Sequence, residues 1–90
     1  MASIRIPTPL RAYTDGVASI DVSGGTVAEA LNNLVDQHPD IKPHLFNDDE
    51  LRSFVNIFID DEDIRFMQGL DTEIDSDDKL RIIPSIAGGL

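Results

Sequence analysis

A single amphipathic helix, predicted between Thr26 and Pro39, is the feature that most limits what this chain can fold into. Thr26 and Glu29 have the spacing of a capping box, in which a hydroxyl and a carboxylate each accept from a backbone N–H at the helix start. Pro39 ends the pattern, because proline cannot continue a helix. One stripe of the helix is apolar and comprises Val27, Ala30, Leu31, Leu34 and Val35. A second element must therefore cover that stripe.

Segments with strand periodicity lie on both sides of this helix. SIRIPTPLR alternates apolar Ile4 and Ile6 with polar residues and is ended by its prolines. YTDGVASIDV has a turn at Asp15-Gly16 and then a second alternating run, so the two segments predict an N-terminal hairpin. FVNIFIDDEDIRF and KLRIIP predict later strands. The predicted order is strand, strand, helix, strand, a short strand and a last strand.

These elements predict an α+β fold of the β-grasp (ubiquitin-like) type, a mixed sheet of four to five strands with one main helix packed on one face. We expect the first and last strands to be neighbours, although the periodicity does not fix the strand order. A chain of 90 residues can bury one modest core, so we expect one domain over residues 1–84. Residues 85–90 are predicted to be a flexible tail that ends in two glycines and one extra leucine.

Charge and composition narrow the class of partner. The chain has 17 Asp and Glu against 7 Lys and Arg, a formal net charge of −10, which repels nucleic-acid phosphates and anionic lipid and favours a basic protein surface as partner. There is no cysteine, and therefore no disulfide or thiolate metal site. The sequence shows no leader and no apolar run of membrane-spanning length, so we expect a cytoplasmic protein. We also expect it to be a monomer.

Three acidic clusters and two histidines are candidates for a metal site, but none has the required spacing. Residues 47–50, 60–63 and 75–78 lack the ligand layout of a calcium loop. His38 and His44 would need further ligands, because structural zinc takes four. No serine lies in a G-x-S-x-G motif, and SGGT lacks the lysine of a phosphate-binding loop. We therefore expect no bound metal, no bound cofactor and no catalytic residue in this chain.

The C-terminal segment IIPSIAGGL suggests a different kind of chemistry. Two successive glycines have the least side-chain bulk of any dipeptide, which suits a terminus that must pass through a narrow channel. A C-terminal carboxylate can be adenylated by ATP, and a sulfur donor can then displace AMP. A glycine at that point leaves the carbonyl open to approach.

The strands also leave apolar side chains on a face that should contact water. In the last strand Leu80 and Ile82 point one way while Ile83 points the other. Phe54 and Phe58 are out of place in the same sense on their own strand. Apolar residues beside the tail, with acidic loops around them, predict a docking surface for a partner protein.

Taken together, FVNIFIDDEDIRF, GLDTEI and LRIIPSIAGG resemble the ThiS/MoaD family of ubiquitin-like sulfur carriers over nearly the whole chain, and the carriers of cysteine synthesis in particular. The resemblance implies that a ubiquitin-activating-type enzyme uses ATP to adenylate the terminal glycine, which becomes a thiocarboxylate that supplies sulfur to a synthase. On this chain the reacting residue is Gly89 and the threading residue is Gly88. Ile83 and Ile86 fall where family members contact their partners.

Leu90 is the departure from the family pattern, because it holds the Gly89 carboxyl in a peptide bond. Some family members carry extra residues that a zinc-dependent JAMM-type peptidase removes. The resemblance therefore implies processing between Gly89 and Leu90 and a precursor form of the carrier. Alternatives are the small subunit of molybdopterin synthase, a ubiquitin-like protein modifier, and a plain interaction module whose tail is never activated.

Overall fold

The computed structural model describes residues 2–48, 50–52 and 55–84. Its strands and helices are β1 (Ala2–Arg5), β2 (Ser19–Val22), α1 (Val27–Gln37), α2 (Lys42–Leu45), β3 (Phe46–Asn47), β4 (Glu50–Leu51), β5 (Val55–Ile59), β6 (Glu62–Asp63) and β7 (Lys79–Pro84). Short 3-10 helices occupy Thr8–Tyr13, Pro39–Ile41, Ile64–Phe66 and Gly69–Asp71. Among the described residues, no helix has the length and apolar character needed to cross a membrane.

The main sheet has five strands in the order β2-β1-β7-β5-β6. The central pair β1 and β7 is parallel, while β1–β2, β5–β7 and β5–β6 are antiparallel. Parallel strands need a long crossover, and the chain between them supplies one that includes α1. The predicted mixed sheet and the predicted neighbourhood of the first and last strands are confirmed.

The core lies between one face of this sheet and α1. Four of the five residues of the apolar stripe are buried there, with Leu31 and Leu34 at 0% exposure, and Val35 is partly buried. The stripe packs in one cluster with Ile4, Ile57 and Leu80 from the three central strands. Burial alternates along each of these strands, so one residue in two faces the helix. The alternating pattern in the sequence therefore identified the inner face correctly.

The start of α1 is capped in a slightly different way from the predicted capping box. The Thr26 hydroxyl accepts from the Glu29 N–H at 3.2 Å, as predicted. The Glu29 carboxylate accepts at 2.7 Å from the N–H of Gly25, one residue before the cap. The cap thus ties the chain that leads into the helix to the first helical turn.

Gly24 lies directly under this cap and has φ +143°, a conformation that other residues rarely adopt. A Cβ added there would lie 2.7 Å from the Glu29 Cβ and 3.0 Å from the Ala30 nitrogen. We expect Gly24→Ala to lower the free energy of unfolding by about 2 kcal/mol or more, because backbone strain and overpacking add. Urea denaturation measures this loss.

Gly16→Ala is the matched control for that substitution. Gly16 also has a positive φ, +81°, but nothing lies within 4 Å of the position of its Cβ. Gly16→Ala should therefore lower the free energy of unfolding by about 1 kcal/mol, the cost of backbone strain alone. Equal decreases in the free energy of unfolding for the two variants would show that the close approach of Gly24 to the helix does not matter for stability.

Two connections are more ordered than the sequence suggested. β1 and β2 do pair, but residues 6–18 join them through the 3-10 helix Thr8–Tyr13 before the turn at Asp15 and Gly16, both at positive φ. After α1, the predicted connection contains α2 and a small separate hairpin of β3 and β4. This second connection is ordered because two of its residues, Ile41 and Leu45, are buried in the core.

Candidate functional site

The face of the main sheet opposite α1, termed the outer face, carries both of the predicted docking residues that the structure describes, Phe58 and Ile83. It is defined by the strand positions that alternate with the buried ones, together with the β6 residue opposite Phe58: Ser3, Arg5, Ser19, Asp21, Asn56, Phe58, Asp63, Lys79, Arg81 and Ile83. No described helix of this chain packs over it in the way α1 packs over the inner face. Within the described part of the chain, the outer face is therefore not covered by a helix.

Two of the predicted docking residues, Phe58 and Ile83, lie diagonally from each other on this face. Phe58 is directly opposite Arg81, and Asn56 is directly opposite Ile83, on neighbouring antiparallel strands. Diagonal neighbours of this kind lie about 7–8 Å apart, within reach of long side chains. Ile83 is a large apolar side chain near the end of β7, and it is 39% exposed. The structure thus brings both residues to one open surface.

Arg81 is held in place beside Phe58. Its guanidinium carbon lies 5.8 Å from the centre of the Phe58 ring, within the range of a cation–π contact. Its Nη2 atom donates to the Asp60 carbonyl at 2.7 Å and lies 3.5 Å from Oδ1 of Asp61. These contacts fix the position of the charge, although the exposed ion pair itself adds little stability.

Arg65 approaches the same face from the 3-10 helix that follows β6. Its Nη1 donates to Oδ1 of Asn56 at 2.5 Å, and its Nη2 donates to the Val55 carbonyl at 3.0 Å. Asn56 is the direct neighbour of Ile83, so this guanidinium lies close to the exposed isoleucine. The net charge of the sequence does not reveal these two arginines as site residues, because a sum of charges does not say where the cations lie.

Phe66 is a further exposed residue that the sequence analysis did not identify as a site. It is 83% exposed, and its neighbour Met67 is 39% exposed, whereas Ile64 in the same turn is buried. The segment IRFM has more apolar residues than one turn of 3-10 helix can bury, which was the available signal. Phe66 adds a second exposed apolar group near the β6 end of the sheet.

The other predicted site residues lie outside the described part of the chain. They are Phe54, Ile86, Gly88, Gly89 and Leu90, together with the predicted tail 85–90. The described chain ends at Pro84, which is paired with Val55 on β5. The predicted roles of these residues therefore stay predictions.

The acidic clusters and the histidines do not converge on a metal site in the described residues, which contain no group of three or more His, Cys, Asp or Glu side chains that could hold an ion. His38 is the C-cap residue of α1, where its N–H donates to the Leu34 carbonyl. The ring of His44 stacks on Tyr13 with centroids 4.0 Å apart. Both histidines have local structural roles.

The ThiS family model matches residues 4–89 of this chain. The chain belongs to the ThiS family. Sulfur carrier protein CysO of Mycobacterium tuberculosis is 38% identical over 90 residues, covering 97% of each chain. A putative sulfur carrier protein of Archaeoglobus fulgidus is 32% identical and covers 96% of each.

Solved structures of similar chains agree with the β-grasp assignment. The BexX/CysO complex of Amycolatopsis orientalis contains a chain that matches this member of the ThiS family with a TM-score of 0.91 and 38% identity, over 99% of this chain and 100% of that one. Small archaeal modifier protein 1 of Methanosarcina acetivorans matches with a TM-score of 0.88 and 27% identity, over 98% and 95%. The predicted family and fold are confirmed, and the similarity supports a sulfur-carrier role.

Proposed function

We propose that this chain is a sulfur carrier whose Gly89, once Leu90 is removed, becomes a thiocarboxylate that donates sulfur in the biosynthesis of cysteine or a related sulfur amino acid. The observation that carries the proposal is the similarity to CysO over 97% of both chains. The family match supports it further, because it runs from residue 4 to Gly89 and leaves Leu90 out.

The chemistry takes four steps, and partner enzymes carry out the hydrolysis, the adenylation and the final sulfur transfer. A JAMM-type zinc peptidase adds water across the Gly89–Leu90 bond and releases leucine. A ubiquitin-activating-type enzyme then joins the Gly89 carboxylate to the α-phosphate of ATP, and pyrophosphate leaves. A sulfur nucleophile displaces AMP to give the thiocarboxylate, which a sulfur-accepting synthase consumes.

The chain itself acts as a co-substrate in this scheme. Gly89 is the group on which the partners act, and Gly88 lets the terminus pass through a narrow channel, since glycine adds no side-chain bulk. The outer face, with Phe58 and Ile83, is the proposed docking surface, and Phe54 and Ile86 are proposed to extend it. ATP binds to the activating partner.

The intact mass of the protein isolated from its own cells tests this proposal. We expect a mass lower by one leucine residue and higher by the difference between sulfur and oxygen. Treatment with a thiol-selective alkylating reagent should shift this species, because the chain has no cysteine and the thioacid supplies the only reactive sulfur nucleophile. A mass that always includes Leu90 would reject the carrier function and leave a binding module.

A ubiquitin-like modifier is the second candidate. The observation that favours it is the structural similarity to small archaeal modifier protein 1, a protein named for modification. Joining Gly89 to target lysines would give covalent adducts of higher mass on other proteins, whereas a dedicated sulfur carrier gives none. Immunoblots of cell extracts under denaturing conditions distinguish the two.

A further inference from the structure

The charges of this chain are separated in space. The net charge is −10, yet four of its seven Lys and Arg residues place their charges at the outer face, namely Arg5, Arg65, Lys79 and Arg81. Three acidic residues lie there as well: Asp21 on β2, Asp63 directly opposite Phe58 on β6, and Asp61, whose carboxylate is 3.5 Å from Arg81. Asp21 and Asp63 belong to the two edge strands, whereas the central strands β1 and β7 carry Arg5, Lys79 and Arg81, so the centre of the face is basic on an acidic protein.

Three of these cations are close neighbours. Arg5 and Arg81 are directly opposite each other on the parallel strands β1 and β7, and Lys79 lies two residues before Arg81 on the same face. Like charges directly opposite on a sheet destabilise the fold. Packing of the core does not require this arrangement, because all three side chains lie on the side away from α1.

Two of these cations, Arg65 and Arg81, border the apolar side chain of Ile83. Arg81 precedes Ile83 by two residues on β7, and Arg65 donates to Asn56, the residue opposite Ile83. The contacts of both guanidinium groups hold them in position before any partner arrives. An apolar centre with a polar rim is the usual anatomy of a protein interface, and here the rim is positively charged.

We propose that the outer face binds an acidic surface of the adenylating partner, with an apolar group of that partner against Ile83 and carboxylates opposite Arg5, Arg65, Lys79 and Arg81. This inference rests on the proposed function and specifies the chemistry of one partner. It reverses the expectation drawn from net charge, which favoured a basic partner. The Debye length is about 8 Å at physiological salt, so charges farther away than this are largely screened. At contact distance the positions of the nearby charges therefore matter more than the net charge.

The acidic residues on the side opposite the outer face orient the protein as it approaches an acidic partner. The opposite side carries exposed acidic residues on and after α1: Glu29, Asp36 and Asp40. An acidic partner repels this side and attracts the outer face, so the collision that brings Ile83 and the end of β7 to the partner is favoured. Electrostatic steering of this kind raises association rates above the values found for neutral surfaces.

A matched pair of charge reversals tests the proposal, with the full chain and the purified ubiquitin-activating-type enzyme of the same organism as the probe, in the absence of ATP. Lys79 and Lys42 are both exposed, but Lys79 is on the outer face and Lys42 begins α2. We expect Lys79→Glu to slow association about tenfold at low salt, while Lys42→Glu, with the same change in net charge, slows it less than about twofold. The difference should disappear near 1 M salt, where the Debye length is about 3 Å.

Arg5→Glu is the second variant and should reproduce the effect of Lys79→Glu, with thermal unfolding confirming that each variant folds. Equal rates for Lys79→Glu and Lys42→Glu, or an enzyme that does not bind the wild-type chain, would overturn the proposal. So would binding of a single-stranded RNA oligonucleotide that depends on Lys79, since the outer face would then be an anion site for nucleic acid.

The docking proposal and the proposed function fail in different ways. If the enzyme binds as predicted but the protein from cells never carries a thiocarboxylate, the docking proposal stands and the carrier function is rejected. If the thiocarboxylate is found but the Lys79 and Lys42 variants associate at equal rates, the carrier function stands and the acidic docking surface is rejected.

Discussion

A chain that ends at Gly89 is expected to support ATP–pyrophosphate exchange by its adenylating partner, whereas the chain that retains Leu90 should be at least about a hundredfold slower. In the longer chain the Gly89 carboxyl is part of an amide and has no free oxygen anion to attack phosphorus. The carboxylate of Leu90 is free, but its branched side chain must enter a channel that the Gly-Gly sequence matches by its small size. Incorporation of labelled pyrophosphate into ATP measures the exchange.

Two variants separate bulk from length in this experiment. Leu90→Gly keeps 90 residues but ends in glycine, and it should recover part of the exchange if bulk is the obstacle. Gly89→Ala in the chain that ends at residue 89 adds one methyl group at the reacting position, and it should be slower than its parent. Equal exchange by the chains with and without Leu90 would show that processing is not required.

Ile83→Asp is expected to weaken binding to the adenylating partner by about 10–100-fold, the cost of losing one well-placed contact residue in an interface. Ile83 is 39% exposed, so its replacement should have only a modest effect on folding. The new carboxylate would lie next to Asn56 and two residues from Arg81, where it would pair with the cations and repel an acidic partner. Isothermal titration calorimetry gives the affinity.

Val17→Asp is the control for this substitution. Val17 is 43% exposed, close to the value for Ile83, but it lies in the connection before β2 and not on the outer face. Its variant should bind like the wild type and show a similar change in unfolding midpoint. If Ile83→Asp binds normally, the partner docks elsewhere, and the exposed Phe66 becomes the first position to examine.

The sequence was sufficient to predict those parts of the structure that depend on interactions between residues close together in the chain. The helix over 27–37 follows from the periodicity of its apolar residues and from the Thr26 cap, and both were read correctly. The strand faces follow from alternation, because successive side chains point to opposite sides of a strand. The outward position of Ile83 was predicted on this basis and confirmed.

The chemistry proposed for Gly89 and Leu90 also depends on sequence, because it concerns which residue carries the terminal carboxylate. The family and its fold were identified from motifs spread over the chain, and the comparisons confirmed both. The role of the tail itself remains a prediction for experiment.

The tertiary structure alone decided which residues become neighbours across strands. The pairing of Arg5 with Arg81 joins positions far apart in the chain, and periodicity carries no information about register between distant strands. The positions of the charges were also decided by the tertiary structure. The net charge of −10 suggested an acidic docking surface, but a sum of charges does not say where they lie. The sequence determined the helix, the faces of the strands and the residue proposed to react, and the tertiary structure determined that the exposed isoleucine lies among cations.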